Sequence, residues 1–107
     1  MEFLTRLEEI LLISIWRLKE NAYGITIREE VKRAAKKELS FGALYVSLDK
    51  LVKKGYAAKK SGAPTAERGG RSKNFYTLSK LGIRALQESN EINEELWKDL
   101  SDLLVKL

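Results

Sequence analysis

The chain is predicted to be mostly α-helical with one small β-hairpin, and two observations support this fold class. Apolar residues recur at helical spacing over most of the 107 residues. Two strand-like stretches with a turn-rich loop between them, holding the only proline, follow directly on a short capped helix. We therefore expect a winged helix-turn-helix domain over residues 1–80, which includes an N-terminal helix, and a C-terminal dimerisation helix over residues 81–107.

The composition restricts the classes of function. The sequence has no cysteine and no histidine, which removes disulfides, thiolate chemistry, imidazole bases and the usual zinc ligands. It also lacks a strand-to-helix glycine loop of the kind that binds phosphate. We predict a protein that is not an enzyme and uses no cofactor or metal. Because no apolar run is long enough to span a membrane, and the first residues lack a basic flank, we expect a cytoplasmic protein without a membrane partner.

Charge is distributed unevenly along the chain. The net charge is +5, but residues 28–80 hold 14 Lys and Arg against 5 Asp and Glu, whereas residues 88–107 hold 2 against 6. A basic middle and an acidic end indicate that the middle of the chain meets a polyanion. An ordinary solvated surface remains the alternative at this point.

The first predicted helix covers residues 3–20 and is apolar on most sides. Such a helix needs burial on more than one side, so one side is expected to face its own core and another a second subunit. A single compact core that covers every side is the alternative. We assign Leu4, Leu7 and Leu11 to the dimer interface.

A second helix is predicted to open at Thr26. Thr26 and Glu29 are three residues apart, which is the spacing of a capping box. A loop over residues 37–39 then leads into the next helix, and two helices joined by so few residues are typical of a helix-turn-helix.

The stretch from Ser40 to Gly55 has the character of a recognition helix. Ser40 can cap its first turn, and Gly55 can end it in the left-handed conformation. One face is apolar, and the other is small and polar, which suits insertion into a DNA major groove. The apolar face consists of Leu44, Leu48, Leu51 and Val52. An ordinary surface helix is the alternative.

Two strands and a last helix complete the chain. We predict strands over Tyr56–Ser61 and Ser72–Leu78, and a helix that Ser79 caps. Its apolar residues continue to Leu107 at spacings of three and four, as in a coiled coil. This face must pack on the first helix or on a partner chain, and we expect both, in a two-fold dimer. The interface residues are Ile92, Leu96, Leu100, Leu103 and Leu104.

Three segments carry a resemblance to known proteins: AYGITIREEV (Ala22–Val31), GALYVSLDKLVKKGY (Gly42–Tyr56) and ERGGRSKNFYTLSKLGIRAL (Glu67–Leu86). With these segments, the chain resembles the PadR family of bacterial transcriptional regulators. Two departures stand out: Val46 occupies a position where the family often has proline, and residues 22–24 replace the usual His-Gly-Tyr.

The resemblance implies a homodimer that binds a palindromic operator in double-stranded DNA, usually as a repressor. Aromatic compounds bind between the subunits of some members, and Trp16 and Trp97 are the candidates for such an effector pocket. Tyr45 has an alternative role in core packing. The DNA-binding residues are predicted to be Thr26, Arg28, Ser40, Gly42, Ala43, Tyr45, Val46, Ser47, Lys50, Arg68, Arg71 and Lys73. The rival functions are a winged-helix protein-interaction module and an RNA-binding protein that stacks bases on strand aromatics.

The wing arginines generate a prediction about salt dependence. Arg71→Ala is expected to weaken binding to all DNA sequences and to flatten the dependence of log K on log salt by about one unit, because one phosphate contact is lost. Binding titrations at several salt concentrations measure this slope, and an unchanged slope would count against a phosphate contact.

Overall fold

A computed structural model describes residues 2–64 and 72–105. It confirms the predicted fold class of a mostly helical protein with one antiparallel hairpin. In chain order the elements are α1 (Arg6–Leu18), a 3₁₀ turn (Lys19–Asn21), α2 (Gly24–Ala35), α3 (Phe41–Lys53), β1 (Ala57–Pro64), β2 (Ser72–Leu78), α4 (Lys80–Trp97) and a second 3₁₀ turn (Ser101–Leu104). No helix among the described residues is both long and apolar enough to cross a membrane.

Helix α1 begins at Arg6 rather than at residue 3, because Thr5 caps it. The Thr5 hydroxyl accepts the Glu8 N–H at 3.1 Å, and the Glu8 carboxylate accepts the Thr5 N–H at 2.8 Å. Leu11 and its neighbour Leu12 are fully buried within the protomer. The assignment of Leu11 to a dimer interface is therefore wrong, because this side chain belongs to the chain's own core.

Helix α2 begins at Gly24, two residues before the predicted start, so the Thr26–Glu29 capping box is wrong. Thr26 lies in the first turn, where its hydroxyl accepts the Tyr23 N–H at 3.0 Å and lies 2.6 Å from the Asn21 carbonyl. The reason is tertiary: Tyr23 is held extended in a β-bridge to Phe75, so the helix starts immediately after it.

Helix α3 confirms the predicted capping and patterning. The Ser40 hydroxyl accepts the Ala43 N–H at 3.1 Å, and Gly55 has a φ of +82° just after the helix end. Three leucines of its inner face are fully buried against α1, α2 and the hairpin. They are Leu44, Leu48 and Leu51.

The hairpin packs beside this core. Ala57 of β1 pairs with Leu78 of β2, and the pairing continues to Ser61 opposite Asn74 before the register shifts near Pro64. Strand β2 matches its predicted range, whereas β1 runs past the predicted end at Ser61. Tyr76 is buried beside the core, and this burial raises its pKa to about 12.

Helix α4 begins as predicted but is shorter than predicted. The Ser79 hydroxyl accepts the Gly82 N–H at 3.0 Å, and Gly82 packs so closely on the Tyr56 carbonyl that a Cβ there would lie 2.0 Å from its oxygen. The helix ends at Trp97, and Asp99 has a φ of 61°. The predicted continuous helix to residue 107 is therefore wrong within the described part. Residues 94–105 are exposed, so packing on the other described residues does not stabilise a longer helix there.

An ion pair ties α1 to the end of α3. Lys54 Nζ lies 2.6 Å from the Glu8 carboxylate, which is largely shielded from solvent. Burial alone would raise the pKa of Glu8, but the hydrogen bonds from Lys54 and Thr5, together with the attraction of the ammonium group, lower it below its ordinary value of 4.5. The interaction joins the N-terminal helix to the predicted recognition helix.

This ion pair predicts a stability loss in acid. A carboxylate whose pKa is lowered by folding contributes stability above its unfolded pKa, and that contribution is lost as the pH falls through the folded pKa. We expect the thermal midpoint of Glu8→Gln to fall less than that of the wild type below pH 4.5. The exposed Glu91→Gln is the control, and parallel wild-type and Glu8→Gln curves would contradict the prediction.

Candidate nucleic-acid interface

The outer face of α3 is small and open. Ser40, Gly42, Ala43, Val46 and Lys50 are exposed, and the neighbouring Ser47 is half-buried. A Cβ added to Gly42 would meet no atom within 4 Å, so packing within the protomer does not require a glycine there. Because the leucine face opposite is fully buried, the helix has one fixed orientation in which this outer face points away from the core.

An aromatic and cationic cluster flanks the start of α3. Phe41 is 43% exposed, its ring lies 6.3 Å from that of Tyr45, and the Arg28 guanidinium lies 4.7 Å from the Phe41 ring centre. Phe41 is not among the site residues predicted from the sequence. Its position directly after the cap Ser40 was the available signal, because a first-turn residue lies at the end of the helix that would enter a groove.

Tyr45 packs against the beginning of α2. The phenol oxygen lies where a Cβ at Gly24 would come within 2.0 Å of it, and the ring is half-buried against the core. This placement matches the alternative in which the Tyr45 ring is a packing group. Gly24 is thus the residue that lets α2 and α3 approach closely.

Two residues predicted to meet phosphate are already engaged within the protomer. Arg28 Nε donates to the Leu39 carbonyl at 2.5 Å, and its Nη2 lies 3.4 Å from the Glu38 carboxylate. These bonds brace the turn between α2 and α3. The Thr26 hydroxyl caps α2, as described above, and is therefore already hydrogen-bonded locally.

The base of the wing adjoins the beginning of α2. The Tyr23 and Phe75 rings meet edge to face at 5.5 Å, and Lys73 Nζ lies 4.3 Å from the Tyr23 ring centre. Lys73 is thus brought close to the first turn of α2. In contrast, Lys59 lies 3.8 Å from Asp49 on α3, which offsets part of its charge. Arg68 and Arg71 lie outside the described residues.

The residues assigned to dimer contacts and to an effector lie on other surfaces. Leu4 and Leu7 are partly buried, whereas the interface residues of the C-terminal part are exposed. Trp16 is 51% exposed and lines a groove of about 380 Å³ between α1 and β2. Trp97 is 52% exposed and is not among the residues that line this groove. The exposed interface residues are Ile92, Leu96, Leu100, Leu103 and Leu104.

Comparison with known proteins gives a family and a common fold. Residues 4–88 match the model of the transcriptional regulator PadR-like family. A PadR-like transcription factor from Bacteroides fragilis is 24% identical over 91% of this chain and 88% of its own, with a TM-score of 0.71. A PadR-like transcriptional regulator from Bacillus cereus is 20% identical over 94% and 93%, with a TM-score of 0.71. F93 from STIV, a winged-helix DNA-binding protein, is 15% identical over 92% and 98%, with a TM-score of 0.68. No curated protein matches the chain.

Two glycine substitutions test the packing of the candidate site. Gly24→Ala is expected to lower the free energy of unfolding by about 1–3 kcal/mol, because the new methyl group overlaps the Tyr45 ring. Gly42→Ala is the matched control and is expected to be neutral or to stabilise by up to about 1 kcal/mol, because alanine is the better helix former and the space is open. Urea denaturation measures both values, and equal effects would refute the close approach at Gly24.

Proposed function

Because the chain belongs to the transcriptional regulator PadR-like family, we propose that it is a sequence-specific DNA-binding regulator that represses transcription from a palindromic operator as a homodimer. The family is one of transcriptional regulators, which confirms the prediction that the chain is not an enzyme. The observation that carries the proposal is the outer face of α3, which is open at Gly42 and oriented by a buried leucine face.

This face suits contact with the edges of base pairs. A B-DNA major groove is about 12 Å wide and admits one α-helix, whose side chains then reach the edges of the base pairs. Gly42 and Ala43 would let the backbone come close, and Val46 could contact a thymine methyl group. Ser47 and Lys50 lie one turn further along and would meet bases or phosphates. Tyr45 would act mainly by holding α3 against Gly24.

Contacts with the DNA backbone would position the helix in the groove. Lys73 lies beside the first turn of α2, where free backbone N–H groups also favour a phosphate. Arg28 would contribute its remaining guanidinium donors, and Thr26 would act by capping this end of α2. Arg68 and Arg71 of the wing are proposed to reach the minor groove or the flanking backbone.

The proposed homodimer would bury apolar side chains that the protomer leaves exposed. Leu96, Leu103 and Leu104 are each more than 60% exposed, which is unusual for three leucines so close in sequence. A two-fold dimer repeats the recognition helix across its axis, so its DNA site would be palindromic. We further propose that an aromatic effector binds between the two subunits, where the dimer would bring Trp16 and Trp97 to one pocket.

The first test compares DNA from immediately upstream of the protein's own gene with scrambled DNA of the same composition. Fluorescence anisotropy at two salt concentrations is expected to give tight binding to the upstream DNA only, with two protomers per site. Weak and equal binding to both DNAs would argue against a specific operator there and would favour a protein-interaction module.

The variant Gly42→Ala distinguishes an effect on DNA affinity from an effect on protein stability. The variant is expected to fold at least as stably as the wild type, yet to lose the close approach of α3, so its affinity for the upstream DNA should fall by about tenfold or more, which corresponds to about 1.4 kcal/mol. Anisotropy titrations measure the change. Glu94→Ala, on the exposed surface of α4, is the control, and an undiminished affinity of Gly42→Ala would show that this face does not meet DNA.

A further inference from the structure

A buried carboxylate joins α1 to α4. Glu9 is only 9% exposed, although it lies on a helix whose other buried residues are mainly apolar. Its Oε2 accepts hydrogen bonds from Ser89 Oγ at 2.5 Å and from Asn93 Nδ2 at 3.3 Å, and its Oε1 accepts one from Arg6 Nη1 at 2.9 Å. Neither DNA contact nor the leucine core requires this group.

The two donors on α4 belong to one continuous face of that helix. Gly82, Ala85, Ser89 and Asn93 follow each other at spacings of three and four, so they lie in one row along the helix. The first two are small and buried, and Gly82 lies directly against the Tyr56 carbonyl. The last two donate to Glu9. The polar contacts therefore lie at the far end of the packed part of α4, next to its exposed end. Contacts there fix the angle between α4 and α1, and a small change of this angle would displace the exposed end.

We propose that Glu9 is a positioning residue that fixes the direction in which α4 leaves the winged-helix body. Apolar contacts have no fixed direction, whereas two hydrogen bonds to one carboxylate oxygen select a single arrangement of α4 on α1. Burying a carboxylate costs free energy, and replacing buried ionic groups by apolar ones is often neutral or stabilising. Orientation, rather than stability, is therefore what Glu9 contributes.

The consequence for DNA rests on the proposed function. If α4 forms the dimer contact, its direction sets how far apart the two recognition helices lie. A protein with a fixed α4 would discriminate between operators by the spacing of their half-sites, and one with a loosened α4 would tolerate several spacings. The positioning itself is a property of the single protomer and can be measured without DNA or dimer.

The test measures a distance within one protomer of the full chain. The sequence has no cysteine, so spin labels can be attached at Glu29→Cys, on α2, and Glu95→Cys, near the end of α4, both of which are exposed. Double electron–electron resonance then reports the distance between the labels. Labelled protein is diluted into an excess of unlabelled protein, so that contacts between protomers do not contribute.

Glu9→Leu is expected to broaden the distance distribution and to shift its mean. Its thermal midpoint is expected to stay close to that of the wild type. Glu9→Gln is expected to restore the wild-type distribution, because its amide oxygen can still accept from Ser89 and Asn93. Glu8→Leu is the matched control: the Glu8 side chain is 14% exposed against 11% for Glu9, but it binds Lys54 rather than α4. Its distribution should remain that of the wild type.

A wild-type distribution in folded Glu9→Leu would overturn the proposal, as would equal broadening in Glu8→Leu. If Glu9→Leu does not fold, the double variant Ser89→Ala/Asn93→Ala removes the donors instead and carries the same expectation. Failure of the proposed function is seen separately, since a wild-type protein that does not bind the upstream DNA still gives the distance distribution within its protomer.

Discussion

The packing of Tyr45 on Gly24 is the contact on which the arrangement of the candidate site depends. Gly24 is the first residue of α2, and the two residues before it bind the wing: the Ala22 carbonyl accepts the Tyr76 N–H at 2.8 Å, and Tyr23 bridges to Phe75. Three consecutive residues thus join α3 to the hairpin. A side chain at position 24 would displace the Tyr45 ring from this packing, because its Cβ would overlap the phenol oxygen.

The electrostatics of the surface follow from where the acidic residues lie. Glu38 lies near both Arg28 and Lys32, at 3.4 and 3.8 Å, and Asp49 lies near Lys59. Exposed pairs of this kind contribute little to stability, about 0–1 kcal/mol each. Their main effect is on the electrostatic potential of the surface. They moderate the positive potential beside α3.

Patterns that depend on neighbouring residues were predictable, and those that depend on distant ones were not. Ser40 and Ser79 cap their helices as predicted, because a hydroxyl beside a free N–H acts within one turn. The Thr26 capping box was wrong because pairing of Tyr23 with β2 moved the start of α2. The helix predicted to reach residue 107 ends at Trp97, since spacing alone does not reveal whether a protomer covers an apolar face. Phe41 was missed although it directly follows the cap Ser40, because the contact that marks it, with Arg28, comes from another helix.

The sequence by itself determined the fold class, the family and the identity of the small outer face of α3, because hydrophobic spacing, caps and motifs are local properties of the chain. Only the tertiary structure decided which groups already have partners within the protomer. It placed Leu11 inside the core, engaged Arg28 with the Leu39 carbonyl, and buried Glu9 beneath Ser89 and Asn93. These outcomes depend on distances between residues as many as 84 positions apart, which no local pattern specifies.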